Sequence, residues 1–223
     1  MIPSQTVENY LKTIYLAQLA NTGDELVPMG QLASALGVVP GTATTMVKAL
    51  AESGLVKYEP YMGVRLTSAG EKLAGLVLRR HRLVELFLVK IIGMSWAEVH
   101  DEAERLEHAV SERLIDRIDD MLGRPAVDPH GDPIPTPEGT LPSDRHDSLF
   151  TAPTDTPLVV TRVIDQDAEF LRFVEQRGLV PGRAVVIESR DPASDAVVLR
   201  LDTGAEASIG SRAATKVLVA PRY

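Results

Sequence analysis

The chain of 223 residues has a net charge of −8, with 44% hydrophobic and 24% charged residues and no cysteine. This composition is typical of a globular protein with two or three compact domains, and no apolar run approaches the ~18 residues of a membrane-spanning helix. Without cysteine, disulfides and thiolate metal sites are excluded, so any metal needs nitrogen and oxygen ligands, and we expect a cytoplasmic rather than a secreted protein.

The acidic charge is unevenly distributed. Residues 1–80 hold seven Lys and Arg against six Asp and Glu, whereas the remaining residues hold 16 against 25. The nearly neutral N-terminal part can therefore approach phosphates although the whole chain is acidic.

The N-terminal third predicts three helices followed by a hairpin. Apolar residues recur with helical spacing, and turn residues such as Asn21-Thr22-Gly23 end each run. The predicted helices cover 6–19, 29–36 and 41–53, and two β-prone runs around a turn form a hairpin over 55–67. This order of elements is that of a winged-helix DNA-binding module.

Two long helices and a β module are predicted downstream. The first helix runs from its cap, Ser68, to about Ile92, and the second covers 95–122. Residues 123–144 are dense in Pro and Gly, which excludes helix through most of the segment and predicts an extended connection. After Pro157, four β-prone runs and one short helix predict a small β-barrel-like module.

The stretch HDEAERLEH, residues 100–108, concentrates metal-ligating side chains. On a helix, His100, Glu104, Glu107 and His108 fall within a sector of about 100° beside the apolar stripe, away from the other charges. The alternative is a salt-bridged helix surface. However, Glu104 and Glu107 are like charges three residues apart with no Lys or Arg in their sector, which is unfavourable unless a cation compensates.

A second His/Glu pair lies on the preceding helix. His81 and Glu85 are four residues apart in the apolar stretch LRRHRLVELFL. A single histidine on such a helix is more often a packed core residue, but two His/Glu pairs on consecutive helices favour a metal site.

These motifs resemble the diphtheria-toxin-repressor family of iron- and manganese-responsive transcriptional regulators. The resemblance covers VENYLKTIYLA, ALAESGLV, LRRHRLVE, VHDEAERLEH, DPHGDPIP and the C-terminal β module. It implies a mainly α protein with a small β module. The implied domains are a winged-helix domain over 1–72, a helical dimerisation and metal-binding domain over 73–142, a linker over 143–156 and an SH3-like (FeoA-like) β-barrel over 157–223.

The resemblance also implies two metal sites. The primary set consists of Glu104, Glu107 and His108 with Asn9 from the first helix. The ancillary set consists of His81, Glu85 and His100, completed by Asp167 or Glu169 from the third domain.

Two positions distinguish this chain from the family's branches. Iron-responsive members resemble it less at Glu104 and Asn9, where they have cysteine and methionine. Manganese-responsive members share the glutamate but have aspartate in place of Asn9 and glutamate in place of Lys12. We therefore expect two separated sites, with Lys12 pointing to solvent or to a neighbouring carboxylate.

The expected metal is Mn(II), with Fe(II) as the alternative. Oxygen and imidazole ligands without sulfur suit both ions, and other divalent metals can bind in vitro because affinity follows the Irving–Williams order.

The third helix is predicted to enter the DNA major groove. Thr42, Thr44 and Thr45 can contact base edges or phosphates, and Lys48 suits a phosphate. The alternative is that a threonine-rich first turn only caps the helix.

The sequence thus predicts a homodimeric, metal-activated repressor of manganese or iron homeostasis genes that binds a palindromic double-stranded DNA operator. One alternative is a winged-helix regulator that senses a small organic ligand. Another is a metallohydrolase, since ERLEH is similar to an inverted zinc-protease motif. We expect no enzymatic activity, because Glu104 replaces the first histidine of that motif and no nucleophile or oxyanion donor is evident nearby.

Overall fold

The computed structural model describes residues 4–20, 25–142, 146–191 and 193–222. The chain forms two compact units, one of Met1–His81 with Pro135–Pro142 and the other of Arg82–Ile134 with Ser143–Tyr223. Within the described ranges, no helix is both long and apolar enough to cross a bilayer. The predicted turn Asn21-Thr22-Gly23 lies outside the described residues.

The first unit contains the predicted winged helix. Its helices are α1 (Gln5–Ala20), α2 (Met29–Ala35) and α3 (Pro40–Glu52), and its strands are β1 (Val56–Glu59) and β2 (Gly63–Leu66). The strands pair antiparallel with Val56 opposite Leu66, as a hairpin requires. One apolar core unites these elements because each helix turns a stripe of aliphatic residues inward; it includes Leu11, Ile14, Leu32, Val47, Leu50 and Val64.

Helix α4 (Ser68–Phe87) continues as a π-helix (Leu88–Ile92) and ends at Gly93, whose φ of 81° supplies the left-handed C-cap. The predicted cap at Ser68 is wrong by one residue. Thr67 is the cap, because its Oγ1 accepts a hydrogen bond from the Gly70 amide at 3.2 Å.

The predicted single helix over 95–122 is wrong, because the structure has two helices there. They are α5 (Val99–Leu106) and α6 (Glu112–Met121). Ser111 has extended backbone and its side chain accepts a hydrogen bond from the Leu114 amide, so a new helix begins after it. Glu107 and His108 therefore lie at the end of α5 and in the connection, rather than in the middle of a long helix.

Part of the Pro-rich connection packs against α4 in the first unit. A Cβ on Gly75 of α4 would lie 2.0 Å from the carbonyl oxygen of Gly139, so the two backbones approach closely. Only a residue without a side chain permits this contact at position 75.

The second unit contains the predicted β module. It comprises β3 (Asp147–Ser148), β4 (Pro157–Val163), α7 (Ala168–Gln176), β5 (Ala184–Asp191), β6 (Ala196–Leu201), β7 (Glu206–Gly210), α8 (Ser211–Ala214) and β8 (Val217–Pro221). The four predicted strands and the helix are confirmed, whereas β3, β7 and α8 were not predicted. The strand order is β3-β8-β4-β5-β6-β7, an open antiparallel sheet rather than a closed barrel among the described residues.

Candidate metal centre

Glu85 is the buried anchor of the predicted ancillary set. It lies on α4 one helical turn after His81, and both residues are buried, at 0% and 4% exposure. Oε1 of Glu85 lies 3.1 Å from Nδ1 of His100, which comes from α5. A fully buried carboxylate is costly without a partner of this kind, so the α4–α5 packing and the pair depend on each other.

His100 connects this pair with Glu104. Its Nε2 lies 3.8 Å from Oε1 of Glu104, and the side chains of His100 and Glu104 are 42% and 36% exposed. The structure thus brings Glu104 next to His100, and it leaves one side of this imidazole accessible to an ion from solvent.

Glu107 and His108 form a second, more deeply buried pair. Nε2 of His108 lies 3.3 Å from Oε1 of Glu107, and their side chains are 9% and 0% exposed. Glu107 is the C-cap of α5 and His108 follows it in the connection to α6, so the pair lies where the helix ends. The pair offers one nitrogen and one carboxylate to a cation.

In the first unit, Asn9 has the property expected of a metal ligand. Its Oδ1 is buried and has no hydrogen-bond partner among the described residues. An unsatisfied buried oxygen costs about 1–3 kcal/mol, and a bound cation would remove that cost. The donor chemistry at Asn9 and at the two His/Glu pairs therefore fits a hard or borderline divalent ion.

Lys12 is buried rather than exposed. It is only 6% exposed, so the prediction that its side chain points to solvent is wrong, and its interaction with a neighbouring carboxylate stays a prediction.

Asp167 caps α7, where its Oδ1 accepts hydrogen bonds from the amides of Glu169 and Phe170 at 3.0 Å each. This cap accounts for Asp167 structurally, and its role as a ligand stays a prediction.

The structure also contains a buried group that the sequence analysis did not identify. Glu85, Asp128 and His130 offer ligand atoms that lie within 4.8 Å of one another, and all three residues are buried. Burial raises the pKa of the Asp128 carboxyl well above its usual range, the charges of Asp132 and Glu85 raise it further, and Arg82 partly opposes them. Asp128 and His130 belong to the motif DPHGDP, which is part of the family resemblance.

Helix α3 presents the predicted DNA-contacting residues on one side. Ala43, Val47 and Leu50 face the core, whereas Thr42, Thr45 and Lys48 are exposed and Thr44 is half-buried. The hydroxyls of Thr44 and Thr45 donate to the carbonyls of Pro40 and Gly41 at 2.8 and 3.0 Å. Their oxygens can still accept a hydrogen bond, and their methyl groups can contact thymine.

Three family descriptions together match nearly the whole chain. Residues 4–64 match "Iron dependent repressor, N-terminal DNA binding domain", residues 67–136 match "Iron dependent repressor, metal binding and dimerisation domain", and residues 148–221 match "FeoA domain".

Two relatives named for different metals are similar to this chain. The iron-dependent repressor IdeR of Mycobacterium tuberculosis (strain ATCC 25618 / H37Rv) is 32% identical over 197 residues, covering 82% of this chain and 84% of the relative. The HTH-type transcriptional regulator MntR of Lysinibacillus sphaericus (strain C3-41) is 38% identical over 121 residues, covering 54% of this chain and 84% of the relative.

Solved structures of such regulators share the fold. A "Manganese-dependent transcriptional repressor complex with manganese" superposes with a TM-score of 0.85 at 38% identity, covering 97% of this chain and 100% of that one. The IdeR of T. acidophilum superposes with a TM-score of 0.76 at 28% identity, covering 99% and 100%.

Proposed function

The chain belongs to the iron-dependent (diphtheria-toxin) repressor family of metal-dependent, DNA-binding transcriptional repressors, which are not enzymes, and from this premise we propose that it is a homodimer activated by Mn(II), with Fe(II) as the alternative. The observation that carries the proposal is the set of nitrogen and oxygen donors at and after α5, without sulfur: His100, Glu104, Glu107 and His108. Carboxylate and imidazole ligands suit Mn(II) and Fe(II), whereas thiolates would favour softer ions. In this proposal the protein acts in the cytoplasm.

The proposal assigns the ligands to an activating site and an ancillary site. Glu104, Glu107 and His108, with Asn9, form the activating site. His81, Glu85 and His100 form the ancillary site, to which Asp167 contributes if its cap is released. A bound divalent cation supplies positive charge that offsets the mutual repulsion of the carboxylates.

DNA recognition follows from the exposed side of α3. In a homodimer, two α3 helices read half-sites of a palindrome whose centres are about 34 Å apart, or a multiple of that distance. Thr42, Thr44 and Thr45 read methyl groups and base edges or contact phosphates, and Lys48 neutralises a phosphate. Metal activation in this scheme favours the arrangement in which both helices fit the DNA.

Operator binding by the purified full-length protein tests the proposed function. Titrations with Mn(II), Fe(II) and Zn(II) are carried out without oxygen, and affinity is measured at one fixed salt concentration. We expect Mn(II) to produce operator binding at protein concentrations at which the metal-free protein does not bind. Activation by Fe(II) alone would select the alternative metal, and metal-independent binding would instead support sensing of an organic ligand.

His81→Ala is expected to weaken metal-stimulated DNA binding only in part. The variant removes an ancillary ligand while Glu107 and His108 remain, so we expect a loss of about 10-fold, within the range for secondary contributions to a metal site. Calorimetric Mn(II) titration measures the change in affinity and stoichiometry. Complete loss of every bound ion in this variant would contradict two separate sites.

Lys48→Ala is expected to weaken DNA binding uniformly across operator sequences. Removal of one phosphate contact lowers the slope of log affinity against log salt by about 0.9. Fluorescence anisotropy over a range of salt concentrations measures this slope. Lys72→Ala, which removes another exposed lysine, from α4, is the control, and an equal change in both variants would show that Lys48 does not contact DNA.

A further inference from the structure

The histidine of the DPHGDP loop is buried with one ring nitrogen unused. His130 is 0% exposed, and its Nε2 lies 2.8 Å from the carbonyl oxygen of Trp96. A carbonyl oxygen only accepts hydrogen bonds, so Nε2 carries the hydrogen and donates it. In the neutral ring, Nδ1 then carries a lone pair, and this atom has no hydrogen-bond partner among the described residues.

This lone pair faces two buried carboxylates. Nδ1 of His130 lies 3.9 Å from Oδ1 of Asp128 and 4.0 Å from Oε2 of Glu85, and both carboxylate side chains are at most 1% exposed. These separations exceed the 2.7–3.2 Å of a hydrogen bond. They fit atoms on either side of one ion, because ligands about 2.0–2.2 Å from a metal lie up to about 4.2 Å apart.

Hydrogen bonds within its own loop hold the Asp128 carboxylate in place. Its Oδ1 accepts hydrogen bonds from the amides of His130 and Asp132 at 2.8 and 2.9 Å. Its Oδ2 is buried, and among the described residues it has no hydrogen-bond partner. Nε of Arg82 lies 3.7 Å from that oxygen, at the distance of an ion pair rather than a hydrogen bond.

The charges around the group favour a further cation. Three carboxylates lie here, those of Glu85, Asp128 and Asp132. Arg82 lies 3.5 Å from Asp132, and Arg162 also pairs with Asp132. Carboxylates buried so close together repel one another and are poorly solvated, and a bound divalent cation would offset both effects.

The loop is anchored to the β module as well as to α4. The backbone oxygen of His130 accepts a hydrogen bond from the Val163 amide at 2.8 Å. Gly131 has a φ of 85°, and a Cβ there would lie 1.9 Å from the Thr161 carbonyl oxygen, so the loop lies directly on β4. An ion between His130 and Glu85 would therefore connect α4 with the β module through this loop.

We propose that Glu85, Asp128 and His130 form a third divalent-cation site that binds Mn(II) and shares Glu85 with the ancillary set. Oε1 of Glu85 faces His100, and Oε2 faces His130, so the carboxylate bridges the two positions. The site goes beyond the two sites of the proposed function, and two of its ligands come from the loop that contacts β4. Because its ligands are buried, its ion exchanges more slowly than an ion at the half-exposed His100.

The test combines metal counting with diffraction on the full-length protein. Protein saturated with Mn(II) is freed of excess metal by rapid gel filtration, and Mn per protomer is measured by elemental analysis. His130→Gln retains a side-chain donor for the Trp96 carbonyl but removes the Nδ1 lone pair. Asp128→Asn retains the oxygen that accepts the two loop amides but removes the charge. His146→Gln alters a half-buried histidine outside all the proposed sets and is the matched control.

We expect three ions per protomer in the wild type and in His146→Gln, and two in His130→Gln and Asp128→Asn. Crystals grown with Mn(II) should show an anomalous peak about 2.2 Å from Nδ1 of His130. The absence of that peak in the wild type overturns the proposal whether or not the variants fold, and so does equal Mn content in the wild type and a folded His130→Gln protein. His108→Ala separates the two proposals, because it should remove a primary-site ion and leave the His130 peak in place.

Discussion

His108→Ala is expected to abolish metal-stimulated operator binding, and Glu104→Ala should do the same. Allosteric couplings between two ligands are typically about 5–150-fold, and we expect this whole factor to be lost because each variant removes a ligand of the activating site. The His108→Ala variant lacks the imidazole nitrogen that lies 3.3 Å from the buried Glu107 carboxylate. Glu107 offers only oxygen atoms and cannot replace that nitrogen as a ligand. Gel-shift titration with Mn(II) measures the loss, and circular dichroism verifies the fold.

Glu102→Ala is the matched control for Glu104→Ala. Both glutamates belong to α5, but Glu102 pairs with Arg105 at 2.6 Å on an exposed part of the helix. Its removal should leave metal-stimulated DNA binding unchanged. A Glu104→Ala or His108→Ala protein that retains the wild-type response to Mn(II) would show that the activating site is assigned to the wrong residues.

Arg80→Ala is expected to destabilise the first unit by about 3–5 kcal/mol, the cost of removing one partner from a buried ion pair. Nη2 of Arg80 donates to Oε1 of Glu8 at 2.6 Å, and the two side chains are only 10% and 5% exposed. The substitution removes a guanidinium group of α4 that pairs with a buried carboxylate of α1. Urea denaturation, followed by helical circular dichroism, measures the free energy of unfolding.

Arg105→Ala provides the comparison for this prediction. Arg105 and Glu102 are also 2.6 Å apart, but their side chains are 71% and 42% exposed. Exposed pairs contribute only about 0.2–1 kcal/mol because water solvates both charges and salt screens them. Similar losses in Arg80→Ala and Arg105→Ala would mean that burial does not set the strength of the Arg80–Glu8 pair.

The order of the helices and most strands was predictable because it depends on local patterns. Apolar spacing placed α1, α2 and α3 within one residue of their observed ends, apart from the turn outside the described ranges. Gly93 correctly marked the end of the α4 segment, since its positive φ is the conformation that glycine favours there. The break before α6 was also encoded locally, in the cap Ser111, but the continuous helical periodicity obscured it.

The short elements could not be predicted from local pattern alone. Strand β3 has two residues and is defined by its pairing with β8, with Asp147 opposite Val219. Its backbone hydrogen bonds come from a segment far away in the chain, so its own sequence contains little information about them. The same holds for the open form of the sheet, in which β3 and β7 are the two edge strands and do not pair with each other among the described residues.

By itself, the sequence determined which residues could bind a metal and which helix could read DNA. Ligand type, the absence of sulfur and helical spacing are properties of neighbouring residues, and the resemblance gave the family. Only the tertiary structure decided which ligands meet: Glu104 lies beside His100, Glu107 pairs with His108, and Glu85 faces both His100 and His130. The physical reason is that a buried carboxylate is stable only beside a compensating partner, and the packing of distant segments, rather than their spacing along the chain, determines that partner.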